Sequence, residues 1–518
     1  MITQLREPLA LPPSVASIMD PLVGALLAYY IAVWAVICLY GLHRYWVLWV
    51  FLRNKGWKSA PQPMGRFDTL PTVTVQLPMF NERHVAERII TASCRLDYPP
   101  DKLQIQVLDD STDDSAEIAR RCCERMRAAG HDVQYLHRAN REGFKGGALA
   151  NGMATATGEF IALFDADFVP PPDILHNTIH HFTDPAIGMV QTRWAHLNRD
   201  DSILTQVQSM LLDGHFVIEQ TARACRGRWF NFNGTAGVWR RTCIEEAGGW
   251  QHDTLTEDTD LSYRAQLAGW RFRYLPNVTC PAEVPPTVSA FMSQQHRWNK
   301  GLMQTAIKLL PRIFRSNAPL ATKIEAFFHL TAPVPYIAVL LLILLALPGL
   351  YVALPIYEMQ PVAALSLGGA FLVLGMIAAC TFYIVSQCAQ GYSFWRTVLR
   401  LPALMAIGVG INVLNTKAAV EALLGHQSPF VRTPKFAGAE VSDPDPILRK
   451  RRPRLPGGTI ELSLAGLMIL CIALSVTRPF VMIGVPFLIL FAVGYLAIGL
   501  PSLRHAWAMR RAARPIVP

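Results

Sequence analysis

The feature that most constrains this chain is where its apolar residues lie. They crowd into residues 21–52 and again beyond residue 327, with a stretch of ordinary globular composition between. Residues 21–42 (PLVGALLAYYIAVWAVICLYGL) carry no charge and exceed the ~20 residues a helix needs to cross a bilayer. Further long apolar segments are 330–353, 362–388, 402–424 and 459–500, the last dividing at Thr477-Arg478-Pro479. With 51% hydrophobic and 17% charged residues, the chain is too apolar for an ordinary soluble protein and too charged for a pure membrane bundle. The middle is long enough to bury a core of its own.

Charge orients these segments. The formal net charge is +10, and the basic residues gather beside apolar runs: Arg44, Arg53, Lys55 and Lys58; Arg449, Lys450, Arg451, Arg452 and Arg454; Arg504, Arg510, Arg511 and Arg514. Such clusters mark cytosolic flanks of membrane spans. They lack a folded reading module, which argues against nucleic acid as a partner. The loop 354–361 has no basic residue and is expected outside. The segment 402–424 carries Asn412, Asn415, Lys417 and Glu421, each expensive in lipid. If it crossed, the basic loop 425–458 would land outside, so it reads as an interfacial helix on the cytosolic face. The expectation is five spans, N-terminus outside and C-terminus inside.

Ten cysteines without a CxxC show neither zinc spacing nor a disulfide framework, as suits a reducing cytosol. The first apolar run is too long for a cleavable signal peptide and lacks a basic n-region. The expected organisation is 1–58, first span and cytosolic flank; 59–315, a cytosolic α/β domain with interfacial helices; 316–401, membrane helices; 402–458, interfacial helix and cytosolic loop; 459–518, two spans and a short basic tail. No internal repeat supports a transporter architecture.

Within the middle region, strand-like runs at 72–77, 104–108, 133–136, 160–164 and 272–275 alternate with helix-like runs at 83–94, 115–129, 145–155, 172–182, 203–221 and 260–268. That alternation predicts a sheet layered by helices. Acidic motifs follow the strands: Asp109-Asp110 after QIQVL, Asp165-Ala166-Asp167 after FIALF, and Glu257-Asp258 in TLTED. Carboxylates at strand ends collect at the carboxyl edge of an open α/β sheet, where ligands bind. Two aspartates two apart are often a plain turn; they are also the hard oxygen pair that Mg²⁺ takes, with substrate phosphates supplying the rest. Asp258 is placed to take a proton from an attacking hydroxyl, although Thr256 or Asp258 would equally serve as a helix cap. Gln294, Arg297 and Trp298 sit in QQHRW. Arg297 either snorkels from an interfacial helix or neutralises a leaving diphosphate. Lys145, in REGFKGGAL, is either a solvated helix-start lysine or a phosphate contact beside glycines that permit close approach.

The words QLPMFNE, QVLDDSTD, KGGAL, FDADF, FNGTAGVWRR, EAGGW, TEDTDL and QQHRW, in that order, resemble the processive inverting glycosyltransferases of family 2. The resemblance is strong over roughly residues 70–310, and nearest to the cellulose-synthase-like A and C proteins and their bacterial relatives. It implies a GT-A-type domain inserted in an α-helical transmembrane bundle. It further implies a β-linked hexose polymer, of β-glucan or β-mannan type, made from a nucleotide sugar. Pro78, Glu82, Asp109 and Asp110 match nucleoside-binding positions, Asp165 and Asp167 the diphosphate and metal motif, and Asp258 the catalytic base. Gln294, Arg297 and Trp298 match the motif that holds donor diphosphate and acceptor chain, and Phe232, Asn233, Gly234 and Thr235 the segment beside the acceptor sugar. The run Phe430, Val431, Arg432, Thr433, Pro434 and Lys435 is similar to a gating loop, with Arg432 and the proline breaking its spacing. The implied cofactor is Mg²⁺ or Mn²⁺. The implied partners are UDP-glucose or GDP-mannose, whose users share these motifs, the growing polysaccharide, membrane lipid and export or regulatory proteins. The short stretch after the last span leaves no room for the cyclic-dinucleotide-sensing domain of bacterial cellulose synthases. The expected location is the bacterial inner membrane. Two rivals stand beside this: a non-processive membrane glycosyltransferase acting on a lipid, and a transporter with a nucleotide-binding regulatory domain.

Overall fold

The computed structural model describes residues 13–54, 61–349, 361–427, 457–475 and 484–512. Its centre is a seven-stranded sheet of order β3-β2-β1-β4-β6-β5-β7. The strands are β1 (Val73–Met79), β2 (Leu103–Asp109), β3 (Val133–His137), β4 (Phe160–Leu163), β5 (Ile187–His196), β6 (Gly237–Arg240) and β7 (Arg271–Ala282). β1 to β4 run parallel, while β6 lies antiparallel between β4 and β5. β1, β2 and β4 are buried almost throughout, as strands covered by helices on both faces must be. Alternation splits their side chains between two cores: Phe160 and Ala162 face one, Ile161 and Leu163 the other. The five strand-like runs all appear in the sheet. β5 and β6 were not anticipated, because β5 mixes Gln191, Thr192 and Arg193 into its apolar run and β6 has only four residues.

Register places the motifs. Met79 pairs with Asp109, and Gln76 with Leu163. The loop after β1, the Asp109-Asp110 turn and the Asp165–Asp167 turn therefore open at one sheet edge. Asp258 lies in the first turn of a helix, Glu257–Leu267, that begins earlier than its polar pattern indicated. Thr256 precedes that helix and makes no side-chain cap bond. QQHRW sits inside a 28-residue helix, Val288–Arg315, whose first turn is capped by the Thr287 hydroxyl accepting from Ala290 N at 3.3 Å.

Three described helices are long and apolar enough to cross a membrane: Val23–Arg53, Gly368–Ala389 and Val485–Ala508. The first runs straight through its basic flank. Leu320–Leu330 and Val334–Leu344 form a pair bent by 52°, Phe394–Gly410 and Asn412–Leu423 a pair bent by 40°, and Thr459–Ser475 is a shorter apolar helix. Counting each bent pair as one span gives up to five.

The second bent pair is anchored to the sheet domain at both ends. Just before it, Gln390 Oε1 accepts from Arg193 Nη1 at 2.9 Å, and Arg199 lies 3.8 Å from the centre of the Tyr392 ring. At its far end, Glu421 Oε2 accepts from His296 Nε2 at 3.1 Å and from fully buried Lys300 Nζ at 3.0 Å. Asn412 and Asn415 are buried within protein. Of the polar groups that lipid would penalise, Asn412, Asn415 and Glu421 thus meet protein, while the Lys417 side chain stays exposed, 3.9 Å from Glu421. We propose that this pair dips into the membrane face and returns to the side it left. The loop residues Phe430, Val431, Arg432, Thr433 and Lys435 lie outside the described residues. In a cysteine-depleted background, His426→Cys is expected to react with an impermeant maleimide only from the side bearing the sheet domain. Labelling from the opposite side would make the pair a true span.

Candidate active site

Most of the motifs meet in a cleft at the carboxyl edge of the sheet, with a cavity of about 120 Å³. Pro78, Glu82 and Asp110 line it on one flank, Lys145, Asp165 and Asp167 on its floor, and Gln294 and Arg297 close it from the long helix.

Lys145 is the hub. It opens the helix Phe144–Met153 behind Gly143, whose φ is +69°. Its ammonium donates to Asp165 Oδ1 at 2.6 Å and to the Gly234 carbonyl at 2.8 Å, and lies 3.9 Å from Glu257. Asp165 is held from behind as well: its backbone N–H donates to the buried Thr235 hydroxyl at 2.8 Å. A Cβ at Gly234, where φ is +81°, would stand 3.1 Å from Asp258 Oδ2 and 3.4 Å from Lys145 Nζ. Only glycine lets this loop lie so close to both. Among the described residues, the non-glycine positions at positive φ are Asn81, Phe144 and Ala236, each within three residues of one that lines the site or packs against it, as locally strained backbone often is.

Four carboxylates, Asp165, Asp167, Glu257 and Asp258, surround two cations, Lys145 and Arg297. Burial, then the charge of Glu257, push the Asp258 carboxyl up to about 7, with Lys145 pulling the other way. Burial draws Arg297 down, opposed by Glu257, Asp165, Asp258 and Asp167. An excess of negative charge cannot receive a diphosphate unaided. Two hard carboxylates at the end of a strand suit Mg²⁺ or Mn²⁺, with phosphate oxygens completing the shell. Among the described residues no cluster of three or more His, Cys, Asp or Glu could cage a metal alone. Asp165 and Asp167 thus fit an ion that is shared with a substrate.

Residues 71–301 match the family described as "Glycosyltransferase like family 2". Over that stretch, a little under half of its length, the chain is similar to family 2 glycosyltransferases. It is 46% identical over 238 residues to "Probable glucomannan 4-beta-mannosyltransferase 6" of Oryza sativa subsp. japonica, covering 45% of this chain and 42% of that one. It is 44% identical over 252 residues to "Glucomannan 4-beta-mannosyltransferase 2" of Arabidopsis thaliana, covering 48% and 47%. The chain spans about half the length of these curated relatives. A solved mannosyltransferase from Pyrobaculum calidifontis, in complex with GDP-Man and Mn²⁺, superposes with TM-score 0.53 at 23% identity, over 77% of this chain and 99% of that one. At that identity the likeness establishes the GT-A fold, a mixed α/β sheet domain here flanked by apolar helices.

Not every motif residue faces the cleft. Asp109 is 1% exposed and turned inward; its carboxylate accepts from Tyr135 OH at 2.6 Å and Ser111 N at 2.9 Å. Its neighbour Asp110 points out and is gripped by Arg138 at 2.8 and 2.6 Å. Phe232 is fully buried, its ring 5.5 Å from that of Trp239, so its side chain offers an acceptor no surface. Asn233 carries the exposed face of that segment, and Thr235 acts through Asp165. Trp298 does not line the donor cleft; its ring lies 6.4 Å from that of Trp194, which does.

Residues that the motif reading passed over complete the walls. Arg141 stacks 3.4 Å from the Phe80 ring centre, and both line the cleft with Trp194, His196 and Glu283. Arg138 and Arg141 follow β3, so their place at the carboxyl edge was available from the strand pattern. Trp194 and His196 lie on unanticipated β5. Asn81 pins the two nucleoside-side loops together: its N–H donates to Ser111 Oγ at 2.8 Å, and its Oδ1 accepts from Thr112 N at 2.9 Å.

Thr235→Val strips the acceptor from the buried N–H of Asp165. An unsatisfied buried donor costs ~1–3 kcal/mol, so a lower melting temperature and weaker Mn²⁺-dependent donor binding are expected. Thr235→Ser should restore both. A valine variant that melts and binds like wild type would show that Thr235 does not set the position of Asp165.

Proposed function

We propose that the whole chain is a membrane-embedded inverting hexosyltransferase that builds a β-linked mannan or glucan, with GDP-mannose as the first donor to test and UDP-glucose the second. The plant relatives are named as β-mannosyltransferases, and the superposing enzyme was solved with GDP-Man. The observation that carries the reading is geometric: the half-buried Asp258 carboxylate and the Lys145 ammonium, itself bonded to Asp165 at 2.6 Å, both pack against Gly234 beside the cleft that Lys145, Asp165 and Arg297 line.

In this reading Asp258 accepts the proton of an acceptor hydroxyl. The hydroxyl oxygen bonds to the anomeric carbon from the face opposite the diphosphate, and the bond from that carbon to the diphosphate oxygen breaks. A base is most effective when its pKa lies near the working pH. Lys145 and Arg297 face the departing diphosphate, where fixed charge acts on a transition state that develops charge. A divalent cation held by Asp165 and Asp167 would supply further positive charge there. The long helix carrying Arg297 and Trp298 leads directly into the first bent pair, and this layout supports the reading that a growing chain beside Trp298 passes toward the bundle, alone or with an exporter. The apolar helices make the chain a membrane protein, and the basic flanks support a cytosolic catalytic face. The relatives above are plant proteins and lend no support to a bacterial inner membrane. The test is a donor panel with purified protein in detergent, followed by linkage and length analysis. A single added sugar on lipid would replace the polymer reading, and no transfer from any nucleotide sugar would end the proposal.

Asp258→Asn is expected to lower transfer by ~10²–10⁴-fold while donor affinity changes little. In the wild type, kcat/KM should rise with pH and level off above about 7. The sign of the stability effect is opposite. A carboxyl raised in the fold is protonated there but ionised when unfolded between about pH 4 and 7, so its charge costs stability that accrues across that window. The asparagine variant should therefore melt higher than wild type at pH 8 and equally at pH 4 or below. Equal melting at pH 8, together with retained transfer, would remove Asp258 as the base.

Activity should vanish in excess EDTA and return with Mn²⁺ or Mg²⁺. Full turnover in chelator would assign Asp165 and Asp167 another task.

A further inference from the structure

Behind Asn233 lies a second polar cluster that the donor chemistry does not use. It is built on a π-helical turn, Gly214–Gln220, a form that recurs at functional sites. Phe216, Val217, Ile218 and Gln220 of this turn are 1% exposed or less, while the side chains of His215 and Glu219 keep 23% and 26% exposure. The turn thus buries its apolar residues and leaves one histidine and one glutamate partly exposed.

Their bonds run in one direction. Glu219 Oε2 accepts from His215 Nδ1 at 3.0 Å. His215 Nε2 then accepts from Asn233 Nδ2 at 2.9 Å, and Asn233 Oδ1 accepts from Gln220 Nε2 at 2.7 Å. An amide has two protons; among the described residues, only the one toward His215 has a recorded acceptor. Asn233 immediately precedes Gly234, the residue packed against Asp258 and Lys145. The cluster extends to the membrane helices: Arg223 lies 3.4 Å from Glu219 and 3.6 Å from Glu325, and Glu325 bonds His43 at 3.1 Å. Burial favours the neutral acid at Glu219, yet Arg223, His215 and Arg44 hold it well below the usual carboxylate range. Two arginines face two glutamates, so this cluster is balanced where the donor cleft is not. A balanced, directionally fixed array of donors and acceptors suits a neutral polyhydroxyl ligand.

We propose that His215 and Glu219 are positioning residues for an acceptor subsite, in which they orient the Asn233 amide toward a hydroxyl of the terminal pyranose next to the one that Asp258 deprotonates. This rests on the glycosyl-transfer reading above. Glu219→Gln loses the charge that fixes the His215 tautomer, and the Asn233 amide is then free to turn.

The test uses the full-length protein in detergent with a β-linked hexo-oligosaccharide acceptor and the donor that the panel identifies. Glu219→Gln and His215→Gln are expected to raise the acceptor KM about tenfold while the donor Kd, measured by calorimetry without acceptor, stays within twofold. Arg226→Gln, on the exposed rim, serves as the folding and assay control. An unchanged acceptor KM, or acceptor KM and donor Kd weakening together, would overturn the proposal. Should both variants fail to fold, Asn233→Ala reads the same split. Wild-type protein that binds donor but transfers to no acceptor would instead sink the glycosyl-transfer reading itself.

Discussion

The Lys145–Asp165 ion pair is the contact on which the rest of the site depends. It joins a helix start, a strand end and, through the Gly234 carbonyl, the loop beside Asp258. Holding one ammonium against so many carboxylates requires backbones that come unusually close. That explains glycine at 234, whose φ is positive and where a Cβ would meet Asp258 and Lys145. It also sets the Asp258 carboxyl. Burial and Glu257 push it up, and Lys145 limits the rise.

Much of this was legible in the residues. Acidic pairs after strand-like runs had to meet at one sheet edge, and register brings them there because Met79 pairs with Asp109 and Gln76 with Leu163. What remained hidden is mostly a matter of side-chain direction. In Asp109-Asp110 successive residues point to opposite faces, so one bonds Tyr135 inside and the other meets Arg138 at the cleft. In FNFNGT, Asn231, Phe232 and Thr235 are buried, and the Asn233 amide turns to His215 and Gln220. A motif identifies both members of each pair; only the sheet tells them apart. The antiparallel insertion of β6 between β4 and β5 was hidden for a different reason. A four-residue strand has too little length to show a period, and it is held by its neighbours rather than by its own pattern.

The membrane segments show a similar division. Their existence follows from hydropathy, and the cost of Lys417 and Glu421 in lipid pointed to a segment that does not simply cross. The partner that makes Glu421 affordable could not be read from the chain. Lys300 stands one helical turn beyond Arg297 on the same long helix and is fully buried against Glu421, a contact between residues 121 positions apart. Breaking a buried pair by removing one partner leaves an uncompensated charge, so the helix that carries Arg297 and Trp298 is fastened to the segment leading toward residues 428–456.

The two polar clusters then divide the reaction by charge. The donor cleft gathers carboxylates beyond what Lys145 and Arg297 balance, which favours a ligand that brings phosphates together with a cation. The cluster around His215 and Glu219 is balanced and directional, which favours hydroxyls and rejects a second anion. Asp258 stands at the seam, raised by the first environment and reached through Gly234 from the second. Around Glu219 and Glu325 the positive charge is already matched, with Arg223 3.4 Å from one and 3.6 Å from the other, which leaves no surplus cation for an anionic ligand. A neutral sugar placed in the donor cleft would leave the carboxylates of Asp165 and Asp167 without the phosphate-bound ion they suit. On the proposed assignment the two environments suit different ligands, and Asp258, packed against Gly234, lies between them.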